Sequence, residues 1–97
     1  MKPLTFADYN KEVRDFPGVV ILFFTAPWAI PALKTASFLR SSNLEIKIFS
    51  VDYDSQRELV SLFSVRELPF VYCLRNGQVN SFAWHCETES ELKELLK

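Results

Sequence analysis

Residues 19–32 read Val19-Val20-Ile21-Leu22-Phe23-Phe24-Thr25-Ala26-Pro27-Trp28-Ala29-Ile30-Pro31-Ala32. The first six are apolar without interruption and rich in β-branched and aromatic side chains. A run of that length without alternation predicts a strand buried on both faces rather than one half exposed to water. The next residues change character. Two prolines bracket a tryptophan, and Pro31 fits the first turn of a helix, where its missing N–H is no loss. A doubly buried strand running through a proline-bracketed turn into a helix is the pattern from which the rest of the chain is read.

On the N-terminal side, Thr5 with Asp8 resembles a helix start. Phe6, Tyr9, Val13 and Phe16 follow at helical spacing until Pro17-Gly18 breaks the segment. On the C-terminal side, Ala32–Ser41 reads as helix, Glu45–Val51 as an alternating strand, and Ser55–Phe63 as a third helix with Leu59, Leu62 and Phe63 to one side. Phe70–Leu74 and Gln78–Trp84 flank Asn76-Gly77, the strongest short signal for a β-hairpin. Thr88 and Glu91 form a capping box that opens a last helix carrying Leu92, Leu95 and Leu96 inward. The order is α-β-α-β-α-β-β-α, with a short strand ahead of Thr5. Helices between the early strands imply right-handed parallel crossovers, and the hairpin adds an antiparallel pair. The expectation is an α/β domain of three layers, α/β/α, around a central mixed sheet that ends in a C-terminal β-hairpin and helix.

Composition narrows the function classes. The 97 residues, 48% of them hydrophobic and nine of them Phe, suffice for one domain with a real core. Eleven Lys and Arg against twelve Asp and Glu create no strong field, so neither nucleic acid nor an anionic membrane surface is expected as a partner. The apolar run Val19–Phe24 is too short to span a bilayer, and its flanks are not those of a signal peptide. Two cysteines are too few for a secreted disulfide scaffold, so the chain reads as a cytoplasmic domain. No Cys or His cluster at ligand spacing suggests a metal, and no cofactor is expected.

Over nearly its whole length the chain resembles the thioredoxin family. The residues that carry the resemblance are Val19–Phe24 leading into Ala26-Pro27-Trp28-Ala29-Ile30-Pro31-Ala32, then Leu68-Pro69-Phe70, then Arg75-Asn76-Gly77. The resemblance implies the thioredoxin fold over residues 1–97 and an ancestral activity of thiol–disulfide exchange. In that family a Trp-Cys-x-Pro-Cys segment sits at the amino end of a helix, whose amides and dipole stabilise the thiolate of the first cysteine. That thiolate attacks a substrate disulfide and the second sulfur resolves the mixed intermediate. The matching positions here are Ala29 and Ala32, which have no nucleophile and no redox state. Other departures accompany them. Phe23 stands where a buried carboxylate assists proton transfer, Ser50 falls near that carboxylate's lysine, and His85 replaces the glycine of the last loop of the site. Pro69 is retained, and the resemblance implies a cis Leu68–Pro69 bond beside Trp28 and Ile30. An extended protein segment could pair with the backbone there.

Two readings therefore stand side by side. In one, the chain is a redox-dead form of an active disulfide reductase in which both cysteines have been changed to alanine. Identical residues at both sulfur positions, with Trp28, Ile30 and Pro31 left in place, favour it. In the other, it is a natural non-catalytic module that binds a protein through an apolar face made by Trp28, Ile30, Pro31, Leu68, Pro69, Phe70 and Trp84. Loss of the carboxylate together with its lysine favours that. Pro31 is fully accounted for as a first-turn proline, and His85 reads as solvent-facing.

The two cysteines are expected to be free. A two-residue turn at Asn76-Gly77 pairs Arg75 with Gln78 and Cys73 with Asn80, which leaves Cys86 some six residues, roughly 20 Å, along the strand. That separation is beyond disulfide reach. Cys73 reads as inert core. Cys86, by the family's spacing, falls in the loop beside Trp28–Pro31 and is a candidate peripheral thiol.

Overall fold

A computed structural model describes residues 1–42 and 45–97. Five strands form one sheet in the order β1-β3-β2-β4-β5. They are β1 (Lys2–Pro3), β2 (Val19–Thr25), β3 (Lys47–Asp52), β4 (Phe70–Arg75) and β5 (Gln78–Ala83). β3 pairs in parallel with both β1 and β2, whereas β4 runs antiparallel to β2 and β5. The sheet is thus mixed, as the crossovers and the hairpin require. Four helical segments cover it. The first, α1, begins as α-helix at Phe6–Tyr9 and continues as a π-helical stretch, Asn10–Arg14. The others are α2 (Leu33–Ser41), preceded by a 3₁₀ turn at Ile30–Ala32, α3 (Arg57–Phe63) and α4 (Glu89–Leu95).

β2 is the centre of the molecule. Val20, Ile21, Leu22, Phe23 and Phe24 are all buried, and their side chains alternate between two cores. Ile21 and Phe23 join Val71, Cys73, Ala36 and Leu39 of α2, and Leu92 and Leu95 of α4. Val20, Leu22 and Phe24 join Val13, Phe49, Val51, Leu59, Val60 and Leu74 on the opposite face. Alternation on a strand with helices on both sides converts an unbroken apolar run into three layers.

Two local readings needed correction. The helix expected over Phe6–Phe16 takes a wider turn from Asn10, where the Asp15 N–H reaches back to the Asn10 carbonyl (2.8 Å). Hydrophobic spacing reports which face is buried, here Val13, but does not distinguish a π turn from an α turn. In the hairpin Arg75 pairs with Gln78 as expected, but a bulge then shifts the register, so that Cys73 faces Ser81 and not Asn80. One extra residue on β5 is enough to move every later partner by one place.

The hairpin turn is fixed by conformation and by contact. Asn76 (φ 50°) and Gly77 (φ 81°) are both left-handed, as a primed two-residue turn demands. The turn also docks onto the end of α1. The Gly18 N–H donates to Asn76 Oδ1 (2.9 Å), and the Asn76 N–H donates to the Gly18 carbonyl (3.0 Å). A Cβ on Gly77 would lie 2.1 Å from the Arg14 carbonyl oxygen. Gly77→Ala should therefore destabilise by at least about 2 kcal/mol, through strain and a backbone clash together, read as a fall in the urea midpoint. A fall of only a few tenths would mean that the hairpin does not dock on α1.

No helix among the described residues is long and apolar enough to cross a membrane.

Candidate functional site

The chain leaves β2 at Thr25 and turns through Ala26–Ala29 into the 3₁₀ turn that opens α2. Consecutive backbone bonds tighten this passage: Ala29 N–H to Ala26 O (3.0 Å), Ile30 N–H to Trp28 O (3.1 Å) and Ala32 N–H to Ala29 O (3.0 Å). The last of these ties Ala29 to Ala32 across one turn at the start of the helix. Both side chains face inward, 4% and 1% exposed, into the same core as Phe23 and Cys86. Ile30, Pro31 and Leu33 point to water, Ile30 at 73% exposed. The segment thus has an apolar inner wall and an apolar outer surface, and no ionisable group of its own before Lys34.

Trp28 is 60% exposed but not free to swing. Its indole N–H donates to Asp54 Oδ2 (2.8 Å), and its ring meets Tyr53 edge-on at 6.1 Å. Arg57 lies over the other ring, Tyr53, at 5.0 Å. The loop after β3 is held in place by the Tyr53 N–H, which donates to the Thr25 carbonyl (2.8 Å). A buried strand end therefore positions an exposed indole through one neighbouring loop.

On the other side, the Leu68–Pro69 peptide bond is cis. Pro69 is buried, and Leu68 and Phe70 are half-buried. Of the residues expected to make an exposed apolar face, these three are therefore largely turned in; Trp28, Ile30, Pro31 and Trp84 carry the exposed surface. Trp84, 60% exposed, stands edge-on to Phe70 at 6.3 Å. The expectation also omitted Leu33, which is 63% exposed. Its signal was available: Ala32, Ala36 and Leu39 define the inward stripe at i, i+4 and i+7, and Leu33 lies off it. Asp54 had no local signal, because only the tertiary approach of two loops brings it to Trp28.

Phe23 and Ser50 are direct neighbours in the β2–β3 register. The two positions at which the resemblance implied a carboxylate and a lysine are thus adjacent, and one is filled by a fully buried ring.

Cys86 is not a peripheral thiol. It is fully buried, its N–H donates to the buried Thr35 Oγ1 on α2 (3.2 Å), and burial pushes its thiol up to about 11, with Glu91 and Glu87 adding to the shift. The polar neighbours His85 and Glu87 suggested a surface position, but the loop folds back over α2 and turns the cysteine in. Burial likewise raises the thiol of Cys73, and both cysteines are free. His85 is half exposed and pairs through Nδ1 with Glu91 Oε2 (2.8 Å). Glu91 is the hub of that loop, because its Oε1 also accepts from the Glu87 N–H (3.2 Å) while the Glu91 N–H donates to Thr88 Oγ1 (3.1 Å). The capping box forms, with the reciprocal bond displaced by one residue to Glu87. Among the described residues no group of three or more His, Cys, Asp or Glu side chains is placed to hold a metal ion.

The family model described as Thioredoxin matches residues 1–97. The chain belongs to the thioredoxin family. It is 29% identical over 93 residues to thioredoxin of Bacillus subtilis, covering 92% of this chain and 89% of that protein. It is 30% identical over 77 residues to thioredoxin of Haemophilus influenzae, covering 75% and 72%. The crystal structure of Malassezia sympodialis thioredoxin superposes with a TM-score of 0.78 at 21% identity, over 93% of this chain and 81% of that one, a likeness of fold. The protein is thioredoxin-like and of the thiol–disulfide oxidoreductase family. Its Ala29-Ile30-Pro31-Ala32 turn contains no sulfur.

The raised thiol of Cys86 has a definite pH signature. The native state holds that proton more tightly than the unfolded chain, whose cysteine ionises near ~8.5. Its contribution to stability is therefore complete below that value and lost as pH rises toward about 11. Urea midpoints measured between pH 8 and 11 should fall, and Cys86→Ala should flatten that slope. Cys73, Tyr9 and Tyr72, also raised by burial, leave a residue of it. At neutral pH the native Cys86 should react with a disulfide probe about a hundredfold or more slowly than free cysteine. Rapid labelling of the folded protein would contradict its burial.

Proposed function

We propose that this chain is an exchange-dead form of a disulfide-reductase scaffold, with Ala29 and Ala32 standing where the attacking and resolving sulfurs act in an active parent. The observation that carries the reading is the Ala29–Ala32 turn itself. The two positions lie one turn apart at the start of α2, joined by the Ala32 N–H to Ala29 O bond (3.0 Å). A pair of sulfurs three residues apart at a helix start can form and open a disulfide; a pair of methyls cannot. Neither remaining cysteine substitutes for them, since both are buried with raised thiols. The chain as it stands therefore has no accessible thiolate at neutral pH.

The polypeptide-binding half of the reaction is retained in this reading. Trp28, Ile30, Pro31 and Trp84 offer apolar surface, and the Leu68–Phe70 backbone beside the cis proline receives an extended protein segment. Such a protein binds a substrate-like polypeptide and releases it unchanged, in the cytoplasm, where free cysteines persist.

The second reading, a natural non-catalytic binding module, is favoured by one specific observation: Phe23 is packed in the core directly beside Ser50, so the proton-relay pair is absent as a unit. The double substitution Ala29→Cys/Ala32→Cys separates the two. In the first reading the restored protein reduces insulin disulfides with dithiothreitol at least about a hundredfold faster than the present chain. A restored protein that folds and forms the 29–32 disulfide but stays at the background rate supports the module instead. The genomic codons at 29 and 32 give the same division: cysteine codons mark a changed form, alanine codons a natural one.

A further inference from the structure

The two edges of the sheet are built differently. β1 is two residues long and consists of a lysine and a proline, so it offers little to a pairing strand. β5 is six residues long, Gln78-Val79-Asn80-Ser81-Phe82-Ala83, contains neither a charge nor a proline, and among the described residues pairs only with β4. Its one bulge lies toward the turn, and Ser81, Phe82 and Ala83 keep regular register with Cys73, Tyr72 and Val71. The outward backbone groups of this half of the strand have no strand partner among the described residues. Natural edges are ordinarily short, charged or covered. This one is none of the three.

The two sides of that edge differ in chemistry. On one side stand Phe82, 59% exposed, and Trp84. Phe82 stacks on Phe70 at 5.7 Å and 25°, so its ring is held as a platform. On the other side a groove of about 280 Å³ runs between β5 and α4, walled by Ser81, Ala83, His85, Glu91 and Glu94. Its carboxylates are engaged but accessible: Glu91 pairs with His85 (2.8 Å), and Glu94 pairs with Lys97 (3.1 Å) and is 67% exposed.

We propose that the β5 edge receives an extended segment of a protein partner as a sixth strand, with apolar or aromatic residues on the Phe82–Trp84 side and Lys or Arg on the groove side. The alternation follows from the pleat, which sends successive side chains to opposite faces. The charge follows from the carboxylates of α4. A second copy of this chain fits less well, because its Ser81 and Ala83 would face the acidic wall without a cation, and the two Glu94 side chains would approach one another. This edge is distinct from the turn at Ala29–Ala32, and the proposal holds whether or not that turn ever carried cysteines.

The test uses the whole chain and three eight-residue peptides. One alternates Lys with Val and Phe, one has the same composition with its lysines in a block, and one has Glu in place of Lys. The alternating lysine peptide should slow amide exchange at Ser81–Ala83 and bind about tenfold or more tightly than either of the others. Phe82→Lys and Glu94→Lys, both at exposed positions, should each weaken it about tenfold, Glu94→Lys with an unchanged Tm, whereas Trp28→Ala should leave it unaffected. The proposal is overturned by no binding, by equal binding of the blocked peptide, or by perturbation at Trp28–Pro31 and Leu68–Phe70 in place of β5. A concentration-dependent dimer that protects the β5 amides without peptide overturns it as well.

Discussion

The burial of β2 on both faces is the constraint from which the rest of the molecule follows. Five consecutive side chains, Val20 to Phe24, are removed from water. At about 1.5–3 kcal/mol for each fully buried apolar side chain, their sum is comparable to the whole net stability of a typical domain. Neither face can be exposed without losing half of that, so α2 and α4 must stay on one side and α1 and α3 on the other. The strand's C-terminal end is thereby fixed in space. Thr25 then holds Tyr53, the adjoining Asp54 holds the Trp28 indole, and the short turns that follow place Ala29 and Ala32 at the start of α2. The exposed site is the last link of a chain whose first link is the core.

Around that site the interior is apolar where exchange chemistry calls for ionisable groups. Phe23 fills the inner wall, Ser50 is its cross-strand neighbour, and Cys86 is turned inward under its loop with a thiol that resists ionisation. Low dielectric, with the Glu91 and Glu87 carboxylates nearby, disfavours a thiolate at Cys86. The arrangement leaves apolar surface exposed at Trp28, Ile30 and Trp84, with no ionisable group along the turn from Thr25 to Leu33.

A few polar bonds settle the loop between the C-terminal hairpin and α4. Glu91 gathers the Glu87 N–H, the Thr88 hydroxyl and His85 around the start of α4, and Thr35 receives the Cys86 N–H from across the molecule. The buried Cys86 N–H is thereby satisfied, which matters more than the net strength of that bond, since an unmet buried donor costs about 1–3 kcal/mol. The same hairpin leaves its outer strand without charge, proline or cover, so that one edge of the sheet remains chemically open while the other is closed by Lys2 and Pro3.

Sequence by itself determined the class of fold, because the deciding signals are local and periodic. The unbroken run Val19–Phe24, the Asn76-Gly77 turn and the Thr88–Glu91 cap each need only nearby residues to act, and each appears in the structure close to where it was read. The absence of sulfur at Ala29 and Ala32 was equally legible, being a matter of residue identity. What tertiary structure alone decided was exposure and partnership. It turned Cys86 inward, drew Pro69 beneath the surface, gave Trp28 its bond to Asp54, and moved Cys73 from Asn80 to Ser81 through one bulged residue. The reason is common to all of them. A residue's neighbours across strands and loops are set by how separately folded pieces pack, and a shift of one residue or a small rotation of a loop exchanges core for solvent without altering any local signal.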